Sequence, residues 1–496
     1  MKYILAHDLG TSGDKATLLS QDGKLAGSCV AGYPTDYFNE TWAEQDSADW
    51  WAAVCKTTKE LLEKTGVAEG DISGISFSGQ MMGCTCLDRQ GNPLRKSIIW
   101  ADQRATAQVD ELEQKVPLKE FYEITGHRNR SSYGIQKFMW IRDNEPEIYE
   151  NTCKILNAKD YIVFKLTGNY YAEYTDAAGN ACMDIRTKEW SERIIEASGI
   201  DADKLPEIKA STFVAGGVTP EAAAATGLKE GTPVVMGAGD GLCATIGAGS
   251  YKTGRTYSYV GSSAWFGTTT EKLVLDENML FCVWPHTIPG LYSPNGSMQT
   301  AGGSYQWFRE NLCGPELSYD DINKIIETSE PGARGISFLP YLLGERAPRW
   351  DVDAKGAFIG LKMENKTEDI YRSVAEGIIL NMSLILDAFR GQEDIEEIKE
   401  ITVIGGGAKS GVWRQMMADI YRADIKVPCL LEEATSIGAA VTGGVGVGMF
   451  KDFSVVDSIL DIDAVVAPDT STFDAYEKAK ERFDKYYHAL KEVLRQ

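Results

Sequence analysis

The sequence predicts an α/β protein of two or more domains, and three observations carry that prediction. Short apolar runs of strand length alternate with amphipathic stretches of helical spacing, the pattern of layered α/β folds. The 496-residue length exceeds the ~100–200 residues of one ordinary domain. A turn of glycine and hydroxyl residues between two strand-like runs stands near the start and is echoed about half a chain later, too sparse a recurrence for a solenoid and suited to a duplicated domain.

The first strand is the run Tyr3-Ile4-Leu5-Ala6, and it leads into His7-Asp8-Leu9-Gly10-Thr11-Ser12-Gly13-Asp14-Lys15. A second apolar run, Ala16-Thr17-Leu18-Leu19, and a turn at residues 21–24 complete a hairpin. Residues 47–64 read as a helix, because Asp46 or Ser47 can cap its start, apolar residues recur at helical spacing and Gly66 follows its end. Residues 72–77 read as a strand entering Ser78-Gly79-Gln80. Residues 233–239 read as a strand closing on the glycine-flanked Asp240. A domain boundary is expected near residues 247–254, just before the echo, Thr256–Val260, Gly261-Ser262-Ser263 and Ala264–Gly267. Residues 368–390 read as a long helix ended by Gly391, residues 401–404 as a strand entering Gly405-Gly406-Gly407, and residues 412–421 as a helix.

Composition excludes several classes. A 43% apolar and 25% charged chain is ordinary globular material, and no run of ~18 apolar residues offers a membrane span. The ten cysteines include no CxxC pair and there are only four histidines, which argues for reduced thiols, a cytoplasmic setting and no zinc site. No secretory signal precedes the first strand. The net charge of −22 opposes nucleic-acid binding, which needs clustered Lys and Arg, but leaves room for a small anionic ligand.

The opening turn has the parts of a phosphate-holding hairpin. Glycines at 10 and 13 allow close backbone approach, and N–H groups with the Thr11 and Ser12 hydroxyls can face phosphate oxygens. Asp8 is placed to hold a hydrated Mg²⁺, which takes one or two carboxylates with phosphate and water. The segment departs from GxxxxGK[ST] and equally fits an ordinary hairpin turn. Asp240 between two glycines suits a general base open to a substrate hydroxyl, or a plain β-turn aspartate. Gly405-Gly406-Gly407-Ala408, after a strand and before a helix, leaves bare backbone for a nucleotide. In Trp100-Ala101-Asp102-Gln103-Arg104, Asp102 suits sugar hydroxyls with Arg104 orienting it, or a surface ion pair. Gly344-Glu345-Arg346-Ala347-Pro348 reads as structural. Together these are the components of phosphoryl transfer.

The chain resembles the FGGY family of carbohydrate kinases, the group containing xylulokinase, gluconokinase, ribulokinase and glycerol kinase. The likeness runs from Tyr3 to about Gly448. It rests on Asp8 to Lys15, on Trp42-Ala43-Glu44-Gln45-Asp46 with Trp50-Trp51, and on Lys137-Phe138-Met139-Trp140-Ile141-Arg142-Asp143-Asn144. It continues through Phe338 to Pro348 and Gly356-Ala357-Phe358-Ile359-Gly360-Leu361 on to Glu376, all in the family's order. Gly134 and Ala375 are mild departures from its signatures.

The resemblance implies two ribonuclease-H-like domains of the actin and hexokinase type around a central cleft, residues 1–248 binding sugar and 249–496 binding adenosine. It implies Asp240 as catalytic base, Asp8 as the Mg²⁺-associated carboxylate, and Thr11, Ser12 and Lys15 on the first phosphate loop. Gly261, Ser262 and Ser263 match the second loop, Gly406, Gly407 and Ala408 the adenosine motif, and Gln306 approaches the nucleotide. Gln80, Met81, Met82, Asp102 and Arg104 are the implied substrate residues. ATP and Mg²⁺ are the implied cofactors, a small sugar the partner, with no nucleic acid or membrane, and a homodimer is left open. Two departures touch the sugar: Met82 stands where xylulokinases usually carry His, and Gly241 where Asn or Gln is usual. A ketopentose such as D-xylulose leads, with deoxy-ketose, tetrulose, ribulose, gluconate and erythritol as alternatives. A nucleotide switch of the actin or chaperone type is the rival class, and a sugar-sensing regulator would need a DNA-binding head that is not seen before Tyr3.

Overall fold

A computed structural model describes residues 1–314 and 316–494. The chain divides into two units, and the first is discontinuous, gathering Met1–Tyr251, Val283–Ser293 and Glu433–Ile459. The second holds the remaining described residues.

In the first unit the strand Tyr3–Leu9 is central. It pairs antiparallel with Gly13–Ser20, which pairs antiparallel with Leu25–Gly32. On its other side it runs parallel to Ile72–Gly79, which in turn runs parallel to Pro233–Val235 and Ala238–Gly239. Ile4, Leu5 and Ala6 are fully buried, as expected of a strand covered on both faces, and they read as one unbroken apolar run. Helix Ser47–Thr65 covers the sheet, with the Asp46 carboxylate accepting from the Ala48 N–H at 2.9 Å and Gly66 closing its end in the left-handed region. Sequence spacing places this helix within one residue of its observed end.

The parallel strands bring their C-terminal ends to one edge, where open α/β sheets bind ligands. Asp8 stands level with Ser78, and Ser78 level with Ala238. One glycine makes this alignment fit. Gly237 has φ +70° and a Cβ there would lie 1.9 Å from the Phe77 carbonyl oxygen. Gly237→Ala combines a left-handed penalty with a backbone clash, and is expected to destabilise the protein by ~2–5 kcal/mol; the shift in urea midpoint at constant slope measures it.

Helix Ala434–Gly446 joins the first unit by backbone contact. A Cβ at Gly438 would lie 1.9 Å from the Cys243 carbonyl oxygen, one at Gly443 2.6 Å from Ser76 Cβ, and one at Gly247 1.8 Å from the Ala434 oxygen. These glycines let it sit directly on helix Asp240–Gly247 and on the central strands.

The second unit repeats the plan. Thr256–Val260 and Ala264–Thr268 form a hairpin, residues 295–298 pair with residues 264–267, and Glu400–Ile404 runs parallel to Thr256–Val260 and to Asp424–Pro428. The echo seen in the sequence is therefore a true hairpin, built on the same antiparallel-then-parallel scheme as the first. The long helix, expected over 368–390, spans Thr367–Arg390.

Candidate active site

Asp8 ends the central strand with its side chain held from two directions. Ser78 Oγ donates to Oδ1 at 2.7 Å and Thr435 Oγ1 donates to Oδ2 at 2.6 Å. Burial pushes its carboxyl upward, opposed by these two hydroxyl donors, while the nearby Asp14 charge adds to the push. Lys15, directly across the hairpin, lies 3.5 Å from the Glu433 carboxylate.

Asp240 follows Gly239 at the end of the neighbouring strand and opens helix Asp240–Gly247. Its Oδ1 accepts from the Gly241 N–H at 2.7 Å, and its side chain is open to solvent. Desolvation by the surrounding protein, with the Asp8 charge second, pushes its carboxyl up to about 7. Solvent access acts against that push, and the upward direction remains. A Cβ at Gly241 would meet nothing within 4 Å, so the space beside the carboxylate is open.

The loop Gln80–Gly83 lies alongside. Gln80 is buried, donates to the Gln45 side-chain oxygen at 2.7 Å, and keeps its own Oε1 unpartnered. Met81 is buried, its sulfur against Gly239, where a Cβ would lie 2.4 Å away. Met82 has φ +63°, a costly conformation for a side chain of this size. It is held there by Lys137 Nζ, which donates to the Met82 carbonyl at 2.7 Å, and by bare Gly179, where a Cβ would come 3.3 Å from the Met82 nitrogen. Lys137 is fully buried, and desolvation lowers its ammonium to about 7.

Asp102 and Arg104 form a buried ion pair, so the surface pair that the sequence also allowed does not occur. Asp102 Oδ2 accepts from the Ala43 N–H at 2.6 Å and from Arg104 Nη2 at 2.7 Å, while Oδ1 accepts from the Arg104 backbone at 2.9 Å. The guanidinium stacks 3.8 Å from the Trp42 ring centre, and its Nη1 has no protein partner. Trp100 Nε1 donates to Thr11 Oγ1 at 2.8 Å, which ties this segment to the first glycine turn. Ser12 is exposed at that turn.

The second unit gathers the remaining expected residues. Gly261 N–H donates to the Ser263 carbonyl at 2.9 Å, closing the turn, and Ser262 is exposed at its tip. Gly302 and Gly303, at the start of helix Gly302–Phe308, donate to the Gly261 and Ser262 carbonyls at 2.8 and 3.0 Å. Gln306 lies exposed on that helix and donates to Glu310 at 2.8 Å. Gly405 and Gly407 lie against Val260, the last residue before the turn, while Gly406 faces open space and Ala408 is buried. Two sets placed separately by sequence thus share one strand-end edge, as Tyr259 and Ile404 are paired.

Sequence reasoning missed Thr435 and Gln45 as parts of the site. Gln45 also donates to the Thr11 carbonyl at 2.6 Å, and it lay inside a quoted motif. Thr435 is 427 residues from Asp8, with no local signal to link them. Among the described residues there is no group of three or more His, Cys, Asp or Glu side chains arranged to hold a metal, and no helix is long and apolar enough to cross a membrane.

Two sheets of like plan, each presenting a glycine-hydroxyl hairpin turn at a strand-end edge, define a duplicated α/β architecture. The chain belongs to the FGGY family of carbohydrate kinases: the family's N-terminal domain matches residues 3–247 and its C-terminal domain residues 256–447. It is 33% identical over 451 residues to a xylulose kinase of Bacillus subtilis strain 168, covering 91% of this chain and 89% of that one. It is 30% identical over 501 residues to a gluconokinase of Bacillus licheniformis, covering 98% and 96%. The crystal structure of a ligand-bound xylulose kinase from Lactobacillus acidophilus superposes with TM-score 0.93 at 28% identity, covering 99% of this chain and 98% of that one. The protein is a sugar phosphotransferase that uses ATP as donor.

Proposed function

We propose that this kinase transfers the γ-phosphoryl group of ATP to a hydroxyl of a ketopentose, D-xylulose first among candidates. The observation that carries the reading is Asp240, a solvent-reached carboxylate at a strand end with its pKa pushed toward neutrality. A group so tuned takes a proton from a sugar hydroxyl as the hydroxyl oxygen bonds to the γ-phosphorus and the bond to ADP breaks. Asp8, Thr11, Ser12 and Lys15 serve the phosphates from the first turn, and Gly261, Ser262 and Ser263 from the second. Gly406, Gly407, Ala408 and Gln306 hold the nucleoside. Gln80, Met81, Met82 and Arg104 face the sugar, with Asp102 fixing the Arg104 plane. Sugar recognition and the base are assigned to the first unit, to which residues 283–293 and 433–459 return beyond the expected 1–248, and adenosine binding to the second. Cytoplasmic operation fits the cysteines, all free among the described residues.

Mg²⁺ fits the donor set. The Asp8 charge raises the cost of ionising Asp240, and Asp8 itself is raised by burial and by the Asp14 charge; an oxygen-ligated cation relieves both. Asp8 is the residue that would hold the ion. Bound there with phosphate, the ion would neutralise charge on the transferring group.

Gluconate is the second reading, favoured by the gluconokinase relative and by the open space at Gly241. An ADP-release assay with D-xylulose, L-xylulose, ribuloses, deoxy-ketoses, tetruloses, gluconate, glycerol and erythritol separates the candidates. ADP release without any sugar response would sink the kinase reading in favour of a nucleotide switch. Met82→His restores a polar donor at the sugar loop. Where the panel shows another sugar preferred by the parent, Met82→His is expected to raise kcat/KM for D-xylulose about fivefold relative to that sugar, ~1 kcal/mol for one neutral hydrogen bond. Unchanged ratios across the panel would place Met82 away from the sugar.

A further inference from the structure

Behind the candidate site lies a buried charged centre that the reaction as described leaves unused. Lys159, fully buried at the start of helix Ala158–Thr167, has its ammonium 2.7 Å from Asp160, 3.0 Å from Asp176 and 3.6 Å from Glu173, all fully buried. One cation among three carboxylates is an expensive arrangement, since apolar residues of similar volume would often be as stable. Its connections show what it holds in place. Glu173 Oε2 accepts from Thr175 Oγ1 at 2.6 Å, and Oε1 accepts from Ser211 Oγ at 2.6 Å. Thr175 Oγ1 in turn accepts from the Gly239 N–H at 2.7 Å. Gly239 is the residue before Asp240 and precedes the first turn of its helix.

The same segment also grips the sugar loop. A Cβ at Gly79 would lie 2.9 Å from Lys159 Cβ, so the lysine stem packs against the strand residue that leads into the loop. Asn157 Oδ1 accepts from the Gly83 N–H at 2.9 Å at its other end. Residues 157–179 therefore touch both the strand that carries Asp240 and the loop that carries Met82.

We propose that the Lys159–Glu173–Thr175 chain is a positioning device that fixes the Asp240 carboxylate relative to the Gln80–Gly83 loop. Thr175 is its terminal link: its hydroxyl donates a hydrogen bond to Glu173 and accepts one from the Gly239 N–H, so the direction of both bonds is set by the buried carboxylate. Thr175 is fully buried and acts only through the backbone beneath Asp240. The proposal rests on Asp240 being the base.

Thr175→Val keeps shape and removes both hydrogen bonds. It is expected to lower kcat by ~10–100-fold, the cost of a small misplacement of a reacting group, with KM for sugar and ATP within about threefold. Thr175→Ser should return kcat to within about threefold of the parent. In an Asp240→Asn background the valine substitution should add less than about a twofold further loss, because the group it positions is gone. A full multiplicative loss in that background, or a normal kcat for Thr175→Val where Asp240→Asn is inactive, overturns the positioning role alone. Near-normal turnover by Asp240→Asn overturns the base assignment and this proposal with it. If Thr175→Val does not fold, Glu173→Gln reads the chain from its other end. The same loss of kcat at constant KM is then expected, and a change in KM alone counts against the proposal.

Discussion

Asp240→Asn lowers kcat by ~10²–10⁴-fold, the range for removing a positioned general base, while sugar and ATP binding stay close to the parent. The amide matches the carboxylate in size and keeps an oxygen to accept the Gly241 N–H, seen at 2.7 Å in the parent. The loss is therefore of proton acceptance and not of shape. The pH profile supplies an independent check. Desolvation and the Asp8 charge push the Asp240 carboxyl up to about 7, so the base is protonated and idle below that pH. The parent's kcat/KM is expected to fall tenfold per pH unit on the acid side of about 7 and to level off above it. The residual activity of the Asn variant should lack that acid limb. An acid limb that survives unchanged would assign it to another group, and normal turnover would move the base elsewhere in the site.

The sequence revealed the local pieces of this architecture and hid their long-range supports. The two hairpins were legible because each is contiguous: strand, small residues, strand, with the turn set by residues that tolerate close backbone approach. Helix Ser47–Thr65 was legible because its cap, its apolar spacing and its terminal glycine all agree. Asp102 was ambiguous because its surroundings decide its role. The ring of Trp42 and the N–H of Ala43 that bury it come from about 60 residues earlier, and no spacing rule connects them.

Helix Ala434–Gly446 shows the same limit. Its seven alanine and glycine positions make it a weak amphipathic signal, because it is buried nearly all round. Only the structure shows that its glycines let the backbone approach Cys243 and Ser76, and that Thr435 at its start reaches Asp8. The Lys159 centre was equally invisible. A lysine beside an aspartate in sequence is ordinarily a solvated pair, and its burial follows from the folding of residues 157–211 as a whole.

Asp8→Ala abolishes Mg²⁺-dependent turnover, because the phosphates lose the carboxylate that anchors their counter-charge. On the proposed reading, in which the glycine turns serve the phosphates through N–H groups and hydroxyls, nucleotide affinity measured in EDTA should change far less. Alanine also strips partners from two hydroxyls, Ser78 and Thr435, so a loss of stability accompanies it. Asp8→Asn removes the charge and keeps one acceptor oxygen, while its amide NH2 faces the Ser78 or Thr435 hydroxyl, which must turn to accept. Burial raises the Asp8 carboxyl, so the folded protein holds this proton more tightly than the unfolded chain does. The ionised form therefore costs stability above the folded-state pKa, and the cost disappears as pH falls below the unfolded value near 3.8. Asp8→Asn should accordingly melt at or above the parent temperature at pH 8 and lose that advantage toward pH 4, while remaining inactive with Mg²⁺. Because the Asp8 charge also raises Asp240, any residual activity in Asp8→Asn should show its acid limb at lower pH than the parent. A variant in which metal-free nucleotide binding, stability and turnover all collapse together would make Asp8 a structural residue, and would remove it from the chemistry.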